Sequence, residues 1–95
     1  MEIRIDGKKV KSESNFHNEL AAALGVEAVY GCNLDALWDL LSASVERPIL
    51  LRWTNSQESR KNMGRIFDQI VEILERVKQQ DEKFGWSNRF TYSLD

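Results

Sequence analysis

Residues 49–53 read I-L-L-R-W, and how they are interpreted decides the fold. Three apolar residues run without interruption into Arg52 and Trp53, a pattern that suits a strand buried on both faces, as in a parallel sheet. Pro48 stands just before the run and helps to break the helical pattern that precedes it. Downstream, Thr54-Asn55-Ser56 is a cap cluster opening a polar helical turn through Met63, and Gly64 then weakens or bends the helix. Ile66, Ile70, Ile73, Leu74 and Val77 form the clearest 3.6-residue stripe of the chain, with Asp68, Glu72, Glu75, Arg76 and Lys78 largely on the other side. Asp81 to Asn88 reads as a polar loop, after which Phe90, Tyr92 and Leu94 alternate as a last strand.

Upstream, Ile3 and Ile5 alternate in a short first strand, and Asp6-Gly7 with Lys8-Lys9 reads as a turn or solvated connector. Ser12 to Ser14 supplies caps for a helix over about Ser14 to Leu24, where Phe16, Leu20, Ala23 and Leu24 recur until Gly25 stops them. A second helix runs from Leu34 to about Ser42–Ser44. Helical connections between successive strands favour parallel pairing and right-handed crossovers. The expected fold is therefore α/β, a three-stranded parallel sheet packed with three to four helices, in a single domain over residues 1–95.

Composition is that of an ordinary globular domain, 42 % hydrophobic and 29 % charged, with five Gly and one Pro. Cys32 is the only cysteine, so no intrachain disulfide can form. The N-terminus lacks a charged-then-apolar leader and no apolar run approaches the ~20 residues of a membrane span, so the expected compartment is the cytoplasm. The net charge of −2 hides a one-sided distribution. From Ser12 to Glu46 there are six acids and no Lys or Arg, while the rest of the chain carries +4. A face of that sign repels nucleic acid and attracts basic partners.

Within the acidic segment, residues 30–41 read Y-G-C-N-L-D-A-L-W-D-L-L. Gly31 offers a turn with unusual backbone angles and Asn33 is a good N-cap for the helix that follows. On the helical wheel Leu34, Leu37, Leu40 and Leu41 share one arc, and Asp35 and Asp39 share an exposed face. Asp35 is favoured by the helix dipole, whereas Asp39 only repels its neighbour. Trp38 lies on the rim between the two arcs, and it and Tyr30 read either as half-buried rim residues or as contact residues.

Catalysis finds little support. An exposed i, i+4 carboxylate pair lacks the burial that separates two pKa values into acid and base. His17 and Cys32 read as a surface histidine and a small thiol near a turn, with no metal-ligand spacing and no activator for the thiol. No Gly-rich phosphate loop occurs. No cofactor or metal is expected. Trp53, Phe67, Phe90 and Tyr92 are expected to hold the core.

The run N-L-D-A-L-W-D at Asn33 to Asp39, preceded by Tyr30-Gly31 and followed by Val45, Glu46, Pro48 and Trp53, resembles the barstar family of intracellular inhibitors of the ribonuclease barnase. The resemblance covers nearly the whole chain and implies the same element order. It implies that Asp39 enters a ribonuclease active site in place of a substrate phosphate. It further implies that Asp35 meets basic groups there, that Tyr30, Gly31, Asn33 and Trp38 are neighbouring contacts with Gly31 allowing close approach, and that Glu46 is more peripheral. The implied role is that of a cytoplasmic immunity protein, a monomer in a 1:1 complex with a basic ribonuclease or related nuclease toxin, with no direct nucleic-acid or membrane contact. Val29, Ser44 and Arg76 depart from the family pattern, Glu75 lies one residue before Arg76, and the loop before the last strand is longer. A binding or regulatory module on the same scaffold, with a partner that is not a nuclease, is the alternative.

Overall fold

The computed structural model describes residues 1–95. Ile49–Thr54 is β2, the middle strand of a three-stranded parallel sheet, with β1 (Glu2–Asp6) and β3 (Phe90–Leu94) on its two sides. Ile3 pairs with Leu51 and Ile5 with Trp53 on one side, and Ile49 pairs with Phe90 and Leu51 with Tyr92 on the other. This register gathers Ile3, Ile5, Ile49, Leu51, Trp53, Phe90 and Tyr92 on one face of the sheet. Between β1 and β2 come α1 (Glu13–Leu24) and α2 (Leu34–Asp39); between β2 and β3 come α3 (Ser56–Met63) and α4 (Arg65–Lys83).

Burial of β2 on both faces does not hold. Ile49, Leu51 and Trp53 are buried, while Leu50, Arg52 and Thr54 are only half-buried. The strand order β1-β2-β3 supplies the reason. Two crossovers of the same hand that step across the sheet in the same direction put every connecting helix on the same side. The other face carries polar side chains: Arg4 bonds Glu2 at 2.9 Å, and Arg52 lies 3.5 Å from Asp95 and 3.9 Å from Glu2.

The helical layer follows its local signals. The Ser12 hydroxyl accepts the Asn15 N–H at 3.1 Å to open α1, and Gly25, in the left-handed region at φ 68°, closes it. Gly64 separates α3 from α4, and the stripe of α4 is buried at Ile70, Ile73, Leu74 and Val77. Trp53 sits at the centre of the core with the Phe16 and Phe67 rings each 4.9 Å away. Its indole N–H donates to the Ser59 hydroxyl at 3.1 Å, which donates to the Gly7 carbonyl at 3.0 Å, so the polar handle of the tryptophan is satisfied inside the core. Gly7 is itself packed on β2: a Cβ there would lie 2.6 Å from the Thr54 carbonyl oxygen.

The polar loop is shorter than its sequence suggests, because α4 continues through Lys83 and takes in Asp81. Asp81 is fully buried. Its carboxylate accepts from Arg47 Nε at 2.9 Å, from Arg47 Nη2 at 3.2 Å and from the Phe90 backbone N–H at 2.7 Å. Arg47 also donates to the Val45 carbonyl at 2.7 Å. One carboxylate thus joins the end of α4, the start of β3 and the segment that leads into β2.

Burial pushes the Asp81 carboxyl up, but the Arg47 and Phe90 bonds outweigh it and hold it below its ordinary value of 3.8. A depressed folded-state pKa contributes stability that is complete above the unfolded value and is lost as pH falls through the folded one. Asp81→Ala is expected to lower unfolding stability by about 3–5 kcal/mol at neutral pH, because Arg47 is left buried without its counter-charge. In urea melts the variant should also lose part of the decline in stability that the natural chain shows below about pH 4. An unchanged midpoint and an unchanged acid limb would remove Asp81 as the clamp.

Candidate functional site

Asn33 opens α2 as expected: its backbone is extended and its side-chain oxygen accepts the Ala36 N–H at 2.7 Å. The residue with unusual backbone angles is Cys32, at φ 54°, rather than Gly31. Gly31 matters by size, since a Cβ there would come within 3.2 Å of the Ala36 Cβ. Leu37 and Leu41 are buried, Leu34 and Leu40 partly so, and this arc holds α2 against the core. The helix ends near the expected place, but through a wide π-helical turn, Leu40–Ser44, a geometry that often accompanies functional sites. Gln80 of α4 donates to the Ser42 carbonyl at 3.2 Å and steadies that turn.

The same capping and packing leave Asp35 and Asp39 exposed on the outer face of α2. Neither makes an ion pair within the chain, although Glu2, Asp81 and Asp95 all do. Two shallow grooves flank them. One, of about 400 Å³, is lined by Leu34, Asp35, Trp38, Asp39, Ile73 and Arg76. The other, of about 450 Å³, includes Val26, Val29, Tyr30, Gly31, Ala36, Asp39, Leu40 and Ser44. Asp39 alone lines both, so it stands on the ridge between them.

Trp38 is half-buried, with the Arg76 guanidinium 4.7 Å from its ring centroid, within cation–π range. Tyr30 is buried, 9 % exposed, and its hydroxyl lies 2.6 Å from His17 Nδ1. Glu46 is exposed beyond the π-helical turn and lines neither groove. The structure therefore brings Tyr30, Gly31, Asp35, Trp38 and Asp39 to one surface, uses Asn33 as its cap, and leaves Glu46 outside the grooves.

His17 is not a surface residue. It is 1 % exposed, and its Nε2 lies 2.9 Å from the Glu13 carboxylate while Nδ1 meets Tyr30. A neutral ring satisfies both partners only with its hydrogen on Nε2, donating to Glu13, while Nδ1 accepts from the Tyr30 hydroxyl. Burial, aided by the neighbouring Cys32 and Glu13, pushes the Tyr30 phenol well above its ordinary range, so its hydroxyl keeps its proton. The i, i+4 spacing of Glu13 and His17 was visible in the chain, but the Tyr30 partner was not.

Glu75 does not take the place of Arg76 at the site. Its carboxylate accepts from the Tyr92 hydroxyl at 2.7 Å and from Gln79 at 3.0 Å. The Tyr92 bond, opposed by burial and aided by Gln79 and Lys78, lowers the Glu75 pKa, and the Tyr92 phenol is pushed up to about 12 by burial and by Glu75. The largest depression, about 560 Å³, lies between Ser42–Arg47 and Gly85–Asn88, where the Arg47 guanidinium is already taken up by Asp81 and Val45. No group of three His, Cys, Asp or Glu side chains converges on a point that could hold a metal ion, and no helix is long and apolar enough to cross a membrane.

The outer face of α2 is thus an exposed acidic ridge with apolar flanks. Residues 1–93 match the family model described as Barstar (barnase inhibitor). The protein named "Putative ribonuclease inhibitor YrdF" from Bacillus subtilis (strain 168) is 32 % identical over 78 residues, which cover 82 % of this chain and 86 % of that protein. With its parallel sheet, its capped acidic helix and a family match over nearly its full length, the chain belongs to the barstar family.

Proposed function

We propose that this chain inhibits a basic ribonuclease or related nuclease toxin by seating Asp39 in the enzyme's active site. The observation that carries the proposal is the position of Asp39: exposed, without an ion pair in its own chain, and shared by the grooves on either side. A carboxylate only accepts hydrogen bonds, so it can occupy a phosphate site opposite Arg or Lys without offering a bond to cleave. Asp35, one turn earlier on the same face, offers a second acceptor to the same basic surface. The base-free segment from Ser12 to Glu46 adds a field that draws a cationic enzyme toward this face. Trp38, with the partly buried Leu34 and Leu40 that line the grooves, supplies apolar surface around the charges, as the centre of a binding face requires.

The direct test mixes the chain with a panel of basic ribonucleases, barnase among them, and follows RNA cleavage. Near-stoichiometric inhibition of at least one enzyme at low salt is expected, with the association rate falling roughly tenfold or more as ionic strength approaches 0.5 M. A molar excess that leaves every enzyme fully active at low salt would remove the proposal.

For an inhibited enzyme, Asp39→Ala is expected to weaken binding by about 2–5 kcal/mol, since it strips a central charge from a desolvated contact. Glu46→Ala should cost less than about 1 kcal/mol because that side chain lies at the exposed edge. Barnase and barstar are themselves the reference pair for charge steering and for a dominant interfacial aspartate, so the family supplies these expectations. Titration calorimetry giving equal small losses for the two variants would displace Asp39 from the anchor position.

A further inference from the structure

A positive charge sits inside the acidic face. Arg76 projects from α4 into the groove that Asp35, Asp39 and Trp38 line, yet it forms no ion pair with either aspartate or with any other carboxylate. Its guanidinium lies over the Trp38 ring, 4.7 Å from the centroid. Stacking on the ring holds the cation in a defined place while leaving its outward side free to meet a partner. The surface therefore alternates: two carboxylates on α2, and one fixed cation across the groove on α4.

We infer that Arg76 is the residue that selects the partner. It turns away an enzyme that is uniformly basic across this groove and admits one whose basic site is bordered, opposite Arg76, by an acidic or neutral acceptor. Like charges brought together in an interface are costly, so a single fixed cation discriminates among enzymes that would all satisfy Asp35 and Asp39. The inference rests on the proposed inhibitory role of the α2 face and deepens it. The side of the groove that Arg76 occupies would otherwise be apolar: Ile73, Leu34 and the ring of Trp38 carry no charge. Its charge is thus the one feature there that can reject a cation.

Barnase is the probe. Affinity is measured at low salt for the natural chain, Arg76→Gln, Arg76→Lys and Arg76→Glu, with thermal midpoints recorded to show that each variant is folded. Arg76→Glu is expected to bind at least tenfold tighter than the natural chain, Arg76→Gln to fall between them, and Arg76→Lys to match the natural chain. The gain should vanish near 1 M salt, where the Debye length is about 3 Å. Gln and Glu with equal effects would mean that packing on Trp38, not charge, is responsible, and would overturn the inference. So would a Glu variant that binds no tighter than the natural chain, including the case in which neither binds detectably. Adding Asp39→Ala to Arg76→Glu separates the two ideas. If the Arg76→Glu gain is present but Asp39→Ala costs nothing, the placement of Asp39 fails while the role of Arg76 stands.

Discussion

The buried carboxylate of Asp81 is the constraint on which the arrangement of this protein depends. It is fully sequestered, so it must be neutralised and bonded from within, and Arg47 and the Phe90 amide do that from two different parts of the chain. Meeting those requirements fixes where α4 ends, where β3 begins and how the chain enters β2. Arg47 also holds the Val45 carbonyl, just beyond the π-helical turn that ends α2. The end of the acidic helix is thereby tied to the same point that sets the sheet, and the exposed face of α2 inherits its orientation from a charge that never meets solvent.

The opposite end of α2 is set by different means. Asn33 caps it, Cys32 takes the left-handed conformation that turns the chain into it, and Tyr30 is held by His17 of α1, whose other ring nitrogen is bonded to Glu13. Between the two fixed ends, burial of Leu37 and Leu41 fixes the rotation of the helix, so Asp35 and Asp39 have no direction to face except outward. Their mutual repulsion persists because no cation of the chain pairs with them. Arg76 comes into the same groove but spends its interaction on an aromatic ring.

Periodicity and turn chemistry made most of this legible. The alternation of Ile3 and Ile5, the I-L-L run, the α4 stripe and the Asn33 cap each specify their element locally, and all are found where they were expected. Burial of β2 on both faces was not, because the number of covered faces depends on strand order and crossover hand, which a three-residue run does not encode. Asp81 and His17 were misplaced for a shared reason: a polar residue looks solvated until its partner is known. Arg47 lies 34 positions from Asp81, and Tyr30 lies 13 from His17. The Arg76–Trp38 contact was hidden in the same way, since it joins α4 to α2 across a long stretch of chain.

Cys32, noted for its backbone, has a practical consequence. It is the only thiol of the chain, it is exposed, and it stands between Tyr30 and the cap of the acidic helix. A thiol-directed fluorophore would therefore attach at a single known point on the rim of this face, in a protein with no residue changed. The molecule comes with its own reporter position, a few residues from the ridge where an incoming surface would first alter polarity and mobility.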